Sequence, residues 1–302
     1  MKWSCRMNAR NFRDQLQQFA FVLPALAVYI VFFIYPSVGS IYYSFTDWHG
    51  LEKNIAFVGW DNYARIVQDE AFATALSNTL RLVVVVSIVQ NVAALALAIG
   101  LNGSIRTKKL LRTMFFMPAV ISALSVGFVW SYIYNPVDGI LNAALRAVGL
   151  SAWENDWLGN ADIVLYSIMG IIVWQNVGYA MVIYLAGLQG ISDSYYEAAA
   201  IEGAGPWQRF RAITLPLIGP ATTVNVMLSV IGCLKMFDII YATTGGGPGY
   251  ATETIASLLF SNAFGGRNEY GYGAAIAIVL YVLIFVVSWI MLKFFRSREV
   301  EA

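Results

Sequence analysis

Residues 197–220 read EAAAIEGAGPWQRFRAITLPLIGP, and they lie between apolar runs long enough to cross a bilayer. Ser194-Tyr195-Tyr196-Glu197 fits a capping box, with Ser194 capping a helix start and Glu197 reaching back. Three alanines and Ile201 continue a short helix with a small-residue face. Gly203 is placed to take the left-handed conformation that ends it, Gly205 frees the turn, and Pro206 suits the first position of a second helix. Trp207, Phe210 and Ile213 follow at helical spacing and lead back into apolar sequence. The stretch predicts a helix–turn–helix elbow over 194–212, with Glu197 and Glu202 exposed beside it. Caps and glycines also build ordinary loops between spanning helices, so the elbow alone leaves both readings open.

Hydrophobic residues make up 59% of the 302-residue chain and charged residues 12%, with a mean hydropathy of +0.63. A soluble domain carries roughly 25% charged residues, so the composition predicts an integral membrane protein. A net charge of +1 argues against a nucleic-acid partner. The two cysteines, Cys5 and Cys233, offer neither a disulfide framework nor a metal site, and the lone His49 sits in a polar stretch as a solvated side chain. No cleavable leader is evident, so the first apolar run is expected to remain as a transmembrane helix.

A hydrocarbon core about 30 Å thick calls for about 20 apolar residues in helical form. Six runs meet this requirement: 19–42, 80–101, 111–134, 163–188, 213–237 and 272–294. Pro216 and Pro220 interrupt the fifth, and Thr222, Thr223, Asn225 and Ser229 dilute it. Such a helix belongs inside a bundle, where neighbours satisfy the freed backbone groups. The fold class expected is therefore all-α, a polytopic membrane protein with six transmembrane helices.

Orientation follows from the basic residues. With the N-terminus inside, Lys2, Arg6, Arg10, Arg13, Arg106, Lys108, Lys109, Arg112, Arg209, Arg211, Lys293, Arg296 and Arg298 fall on the inner side. Only Lys53, Arg65, Arg146 and Arg267 fall outside, with Arg81 and Lys235 at the boundaries. The positive-inside rule then makes both termini and the elbow cytoplasmic. The expected organisation is a tail at 1–18, a first transmembrane helix at 19–42, an extracytoplasmic loop at 43–74, a core at 75–295 and a second tail at 296–302. The outer segments 43–79, 135–162 and 238–271 are rich in Trp, Asn, Asp and Gly. They are expected to hold short interfacial helices, with Trp48, Trp60, Trp153 and Trp157 near headgroup level.

The elbow resembles a specific signature. Glu197, Ala198, Ala199, Glu202, Gly203, Ala204, Phe210, Leu215, Pro216 and Pro220 match the cytoplasmic motif of permease subunits of binding-protein-dependent ABC importers. Glu202 stands where that family usually has Asp. The segments Phe57–Leu80 and Phe237–Leu280, the latter with TGGGP and GYGAA, are similar to maltose- and glycerol-phosphate-type permeases, particularly the first of the two paired permeases. The long first outer loop insertion of the maltose permease is absent.

The resemblance implies a type I ABC importer transmembrane fold in a bacterial inner membrane. Its elbow would be a coupling helix, with Glu197, Ala198, Ala199, Glu202, Gly203, Ala204 and Gly205 as the docking residues. It implies as partners a second homologous permease, two ATPase subunits, an extracytoplasmic sugar-binding protein and a carbohydrate substrate. No cofactor is expected on this chain; ATP and Mg would belong to the ATPase.

The fourth run carries Val173–Tyr184, VWQNVGYAMVIY. Amides buried in a membrane face either a partner helix or a polar path. On the fifth run, Asn225, Ser229 and Cys233 recur every four residues and share one face. The resemblance places a substrate path here, with Trp174, Asn176, Gly178, Tyr179, Asn225, Ser229, Cys233 and Met236 as candidates. Packing between helices is the other reading of these polar groups. Lys235 and Asp238 are spaced to pair across one helical turn.

Gly245–Gly249 lacks the lysine and the following helix of a phosphate loop. It reads as a flexible loop touching a binding protein, or as a plain turn. No catalytic triad, Cys/His pair or paired carboxylates point to an enzyme, and no intramembrane acid cluster points to proton coupling. An ion-coupled secondary carrier and a non-transporting membrane scaffold remain as alternatives.

Overall fold

The computed structural model describes residues 9–50, 55–103 and 106–296, with side chains from Phe19 to Phe295. The expected tail residues 1–8 and 297–302, with Lys2, Cys5, Arg6 and Arg298, lie outside the described residues, as does Lys53. Among the described residues the chain is helical, with one isolated bridge between Thr46 and Phe57.

The first span joins α1 (Ala9–Tyr29) through a wide π turn at Ile30–Ile34 to α2 (Tyr35–Tyr43). Its sequence is apolar on every side, and none of its membrane-length stretch Phe19–Tyr43 is buried. Only α2 packs, against the last helix. After the first outer loop come α3 (Asp61–Gln68) and α4 (Glu70–Asn102). The latter starts ten residues before the apolar run that predicted it. Asp69 accepts a hydrogen bond from the Ala71 N–H at 2.9 Å and caps the start. Phe72 and Ala75 then bury against Ile255, Leu258 and Ile276. A hydropathy window misses this amphipathic first part.

The third run, 111–134, is not one rod. α5 (Lys108–Phe116) tightens into a 3-10 turn at Met117–Val120, and α6 (Ala123–Ile133) leaves it at 101°. Pro118 sits in the tight turn, and Ile121 and Ser122 are extended. The Ile121 carbonyl freed by the break accepts from Gln175 Nε2 at 3.0 Å. Beyond α7 (Ile140–Ala147) runs α8 (Val164–Gln189), then the elbow helices α9 (Asp193–Ile201) and α10 (Pro206–Arg209). A π turn at Phe210–Thr214 and α11 (Leu215–Leu217) lead to α12 (Gly219–Leu234), with a 67° bend before Gly219. The end away from the elbow is completed by α13 (Asp238–Thr243) and α14 (Ile255–Ala263), and α15 (Tyr270–Arg296) follows them. Among the described residues, four helical stretches are long and apolar enough to cross a membrane, and the two bent pairs raise the number to six when each is one span.

Packing fixes the directions. Leu82 and Val86 of α4 cluster with Val164–Ile172 residues of α8, and Ala94, Ala98 and Leu101 cluster with the second half of α8. α4 and α8 therefore run parallel. Ile218, just before α12, joins the cluster at the elbow end, and Cys233 joins the one at the far end, so α12 runs antiparallel to both.

Short helices form in the segments 43–79, 135–162 and 238–271 as expected, but two of their tryptophans pack inward. Trp157 donates to Asn142 Oδ1 at 2.8 Å and stacks on Tyr134, and Trp48 packs between Tyr43 and Tyr270. Trp60 and Trp153 are exposed. Hydrogen bonds also tie down the glycine loop expected to be flexible. Asn78 of α4 donates to the Tyr250 and Glu253 carbonyls, and Thr252 Oγ1 donates to the Gly247 carbonyl at 2.8 Å.

Candidate functional site

The elbow is built from its own sequence. Ser192, not Ser194, caps α9: its Oγ accepts from the Ser194 N–H at 3.4 Å, and Ser194 lies inside the first turn. The expected Ser194–Glu197 box does not form, because an earlier serine in the extended conformation takes the cap. The other end is as expected. Gly203 has φ +77°, and the Ala204 N–H returns to the Ala199 carbonyl at 2.9 Å, closing the helix end. Pro206 opens α10, and Gln208 Oε1 accepts from the Gly205 N–H at 2.7 Å. Arg209 Nε donates to the Ala204 carbonyl, and the hydroxyls of Tyr196 and Thr214 bond at 3.0 Å. The first ties α10 to the turn before it, and the second ties α9 to the π turn that follows α10.

Little covers this unit. Glu197, Ala198, Glu202 and Gly203 are exposed, and Ala199, Ala204 and Gly205 are half-buried. Ile201 is 87% and Trp207 69% exposed. The acids have no ionic partner among the described residues. The elbow thus presents apolar and acidic groups together on a rigid turn.

At mid-bundle the structure brings Asn176, Tyr179, Asn225, Ser229, Cys233 and Met236 around one cavity of about 240 Å³. Gln90 from α4 also lines it. Ile172, Asn176 and Tyr179 share one face of α8 by the 3.6-residue period. Trp174 and Gly178 lie on the opposite face and do not reach the cavity. Trp174 packs edge-on against Trp130, with ring centroids 5.4 Å apart. Gly178 is where α5 crosses α8, and a Cβ there would run into the Phe115 carbonyl. Those two candidates are therefore packing positions.

A second cavity of about 420 Å³ adjoins the first toward the far end, sharing Asn176, Gly232 and Met236. Gln175, Lys235 and Asp238 line it. The expected Lys235–Asp238 ion pair is absent. α12 ends at Leu234 and α13 starts at Asp238, so no helical turn connects them.

Some polar groups of the inner cavity are also glue. Asn91 of α4 donates to Ser229 Oγ at 3.1 Å and accepts from the Tyr184 hydroxyl at 2.9 Å, and Asn225 Nδ2 donates to the Ala180 carbonyl. The two readings left open by the sequence thus apply to the same residues: one side bonds a neighbouring helix and the other faces open space. Gln90 gave no sequence signal, because it sits in a 33-residue helix among Ser87 and Asn91 with no spacing to single it out.

Residues 90–299 match the family described as binding-protein-dependent transport system inner membrane component. A probable ABC transporter permease protein of Bacillus subtilis is 33% identical over 291 residues, 96% of this chain and 99% of that protein. The multiple sugar-binding transport system permease protein of Streptococcus mutans is 34% identical over 294 residues, 97% of this chain and 100% of that protein. In fold, the chain is similar to a crystal structure of a bacterial ABC transporter involved in the import of the acidic polysaccharide alginate. The TM-score is 0.84 at 24% identity, over 95% of this chain and 98% of that one.

Proposed function

Because the chain belongs to the family of binding-protein-dependent transport system inner membrane components, we propose that it is the transmembrane subunit of an ATP-driven carbohydrate importer. It forms half of a translocation pathway in a bacterial inner membrane, beside a second homologous permease. An extracytoplasmic binding protein delivers the sugar. The elbow of residues 197–220 docks on a separate ATPase, which supplies ATP and Mg chemistry that this chain does not carry. Both termini are cytoplasmic.

The observation that carries this reading is the elbow: a turn fixed by Gly203 and Pro206 that leaves Ile201, Glu202 and Trp207 uncovered. Ile201 and Trp207, exposed beside two acids on a rigid frame, suit docking on a partner protein. The name of the Streptococcus mutans relative supports a sugar as cargo. So does the inner cavity, where amides and hydroxyls suit sugar OH groups and Tyr179 and Met236 suit an apolar ring face.

Co-expression with the genomic neighbours tests it. An ATPase should co-purify with the native chain, and sugar-loaded binding protein should stimulate its hydrolysis. Glu202→Lys should abolish the stimulation. Sugar movement by the chain alone in liposomes, driven by an ion gradient, would replace this reading with a secondary carrier.

A further inference from the structure

Seven side-chain amides are buried among the described residues: Asn78, Gln90, Asn91, Asn142, Gln175, Asn225 and Asn262. Six have hydrogen-bond partners in the protein. Gln90, 6% exposed, has none. An amide kept from water without a partner is costly, so a buried exception needs an explanation. Fully enclosed orphan atoms occur at Ser87 and Trp130, yet those of Gln90 are not among them. Its amide reaches open space, and the space it lines is the inner cavity.

Its neighbours are already partly committed. Asn176 spends its NH2 on the Ile172 carbonyl, Asn225 on the Ala180 carbonyl, and Ser229 its hydroxyl on the Val226 carbonyl. Each asparagine keeps a second N–H and its carbonyl oxygen, and the Tyr179 hydroxyl also lines the cavity, so its wall mixes donors and acceptors. Gln90 adds an uncommitted NH2 and an uncommitted carbonyl, the pairing that adjacent hydroxyls of one solute can satisfy. Helix glue is already supplied one residue on, by Asn91. No charged side chain lines this cavity; Lys235 and Asp238 belong to the outer one. A carboxylate or phosphate held here would have no counter-charge from this chain.

We infer that Gln90 is a substrate-binding residue and that the cavity it completes takes an uncharged, hydroxyl-rich solute, a neutral saccharide. The inference rests on the importer reading above. The test uses the whole transporter in proteoliposomes, with saturating binding protein. Lactose, trehalose and raffinose serve as neutral probes, and glycerol 3-phosphate and digalacturonate as anionic ones. The native complex should move at least one neutral probe and neither anion. Gln90→Met keeps the side chain's length and removes its amide, and it should slow uptake of that probe about tenfold, the worth of one hydrogen bond to a buried group.

Monodeoxy analogues of the transported probe separate binding from packing. One analogue should be slow with the native chain and no slower again with Gln90→Met. If Gln90→Met does not assemble, the same series with Gln90→Asn gives the same readout. Unchanged uptake by Gln90→Met, additive deoxy penalties, or a native complex that moves only the anions would overturn the inference while leaving an importer. A native complex that moves none of the five would overturn the sugar-importer reading and this inference with it.

Discussion

The elbow and the inner cavity are built by opposite rules. Every hydrogen bond that shapes the elbow joins residues close in sequence, the longest being Tyr196 to Thr214, 18 positions apart. The bonds that frame the cavity join residues 93 and 138 positions apart. The elbow is a local structure presented outward, whereas the cavity exists only when three helices pack in register. A substitution in the elbow should therefore damage function with little effect on folding. One at the helix crossings should do the reverse.

The sharpest way to break that contrast is Gly203→Val. A branched side chain at φ +77° is strained by about 1–3 kcal/mol, which turns the elbow away from its native shape. ATP-driven uptake should fall about tenfold or more, while the thermal unfolding midpoint of the purified complex stays near native. A matching drop in both would mean the elbow helps to hold the bundle.

The same contrast explains what could be read in advance. Gly203, Pro206 and the acids were legible because caps and turns depend on neighbours a few residues away. The α12 face of Asn225, Ser229 and Cys233 was legible by period. The break at Ile121–Ser122 was not, since nothing in the run from Leu111 to Tyr134 shows that a carbonyl there would be satisfied by Gln175, 54 positions on. Nor was Gln90: whether a buried amide bonds a helix or faces a cavity is decided by residues in other helices. Trp174 and Gly178 came from the resemblance, and both fall off the cavity face of α8. Spacing gives a face, but only packing says which face looks inward.

Gly178→Ala is the next largest test. Its Cβ would meet the Phe115 carbonyl, and overpacking of this kind costs about 1–3 kcal/mol. The unfolding midpoint should drop while uptake per folded complex holds. An altered choice of sugar at native stability would instead return Gly178 to the path. Trp174→Ala should be milder still, with uptake within about twofold of native, as for a partly exposed side chain away from any site. A tenfold loss would put the path on the other face of α8.

The smallest effect is expected at Glu253, beneath the glycine loop. Burial pushes its carboxyl above the usual carboxylate range, against the opposing pull of the nearby Ser257 hydroxyl and the charge of Arg267. The folded state then holds its proton more tightly than the unfolded chain. Its contribution to stability is full below the ordinary carboxylate pKa and is lost as pH rises through the raised one. Glu253→Gln should match native stability below the ordinary carboxylate pKa and exceed it once the pH has passed through the raised one. Melting curves across that range check the sign; a gap that widens toward acid would reverse it.

The 67° bend after α11 has a mechanical consequence. The covalent route from the elbow to the cavity passes through Ile218, which is 0% exposed and wedged among α4, α5 and α8. That residue is a fulcrum. One arm is the exposed elbow, and the other is α12, whose cavity residues begin seven positions beyond Ile218, about 10 Å at a helical rise. Under the importer reading proposed above, a sideways push on the elbow would rotate Asn225, Ser229 and Cys233 about that point rather than slide them. Because Asn225 and Ser229 each bond a neighbouring helix, such a rotation would have to break hydrogen bonds in the wall as it reshaped the space between them.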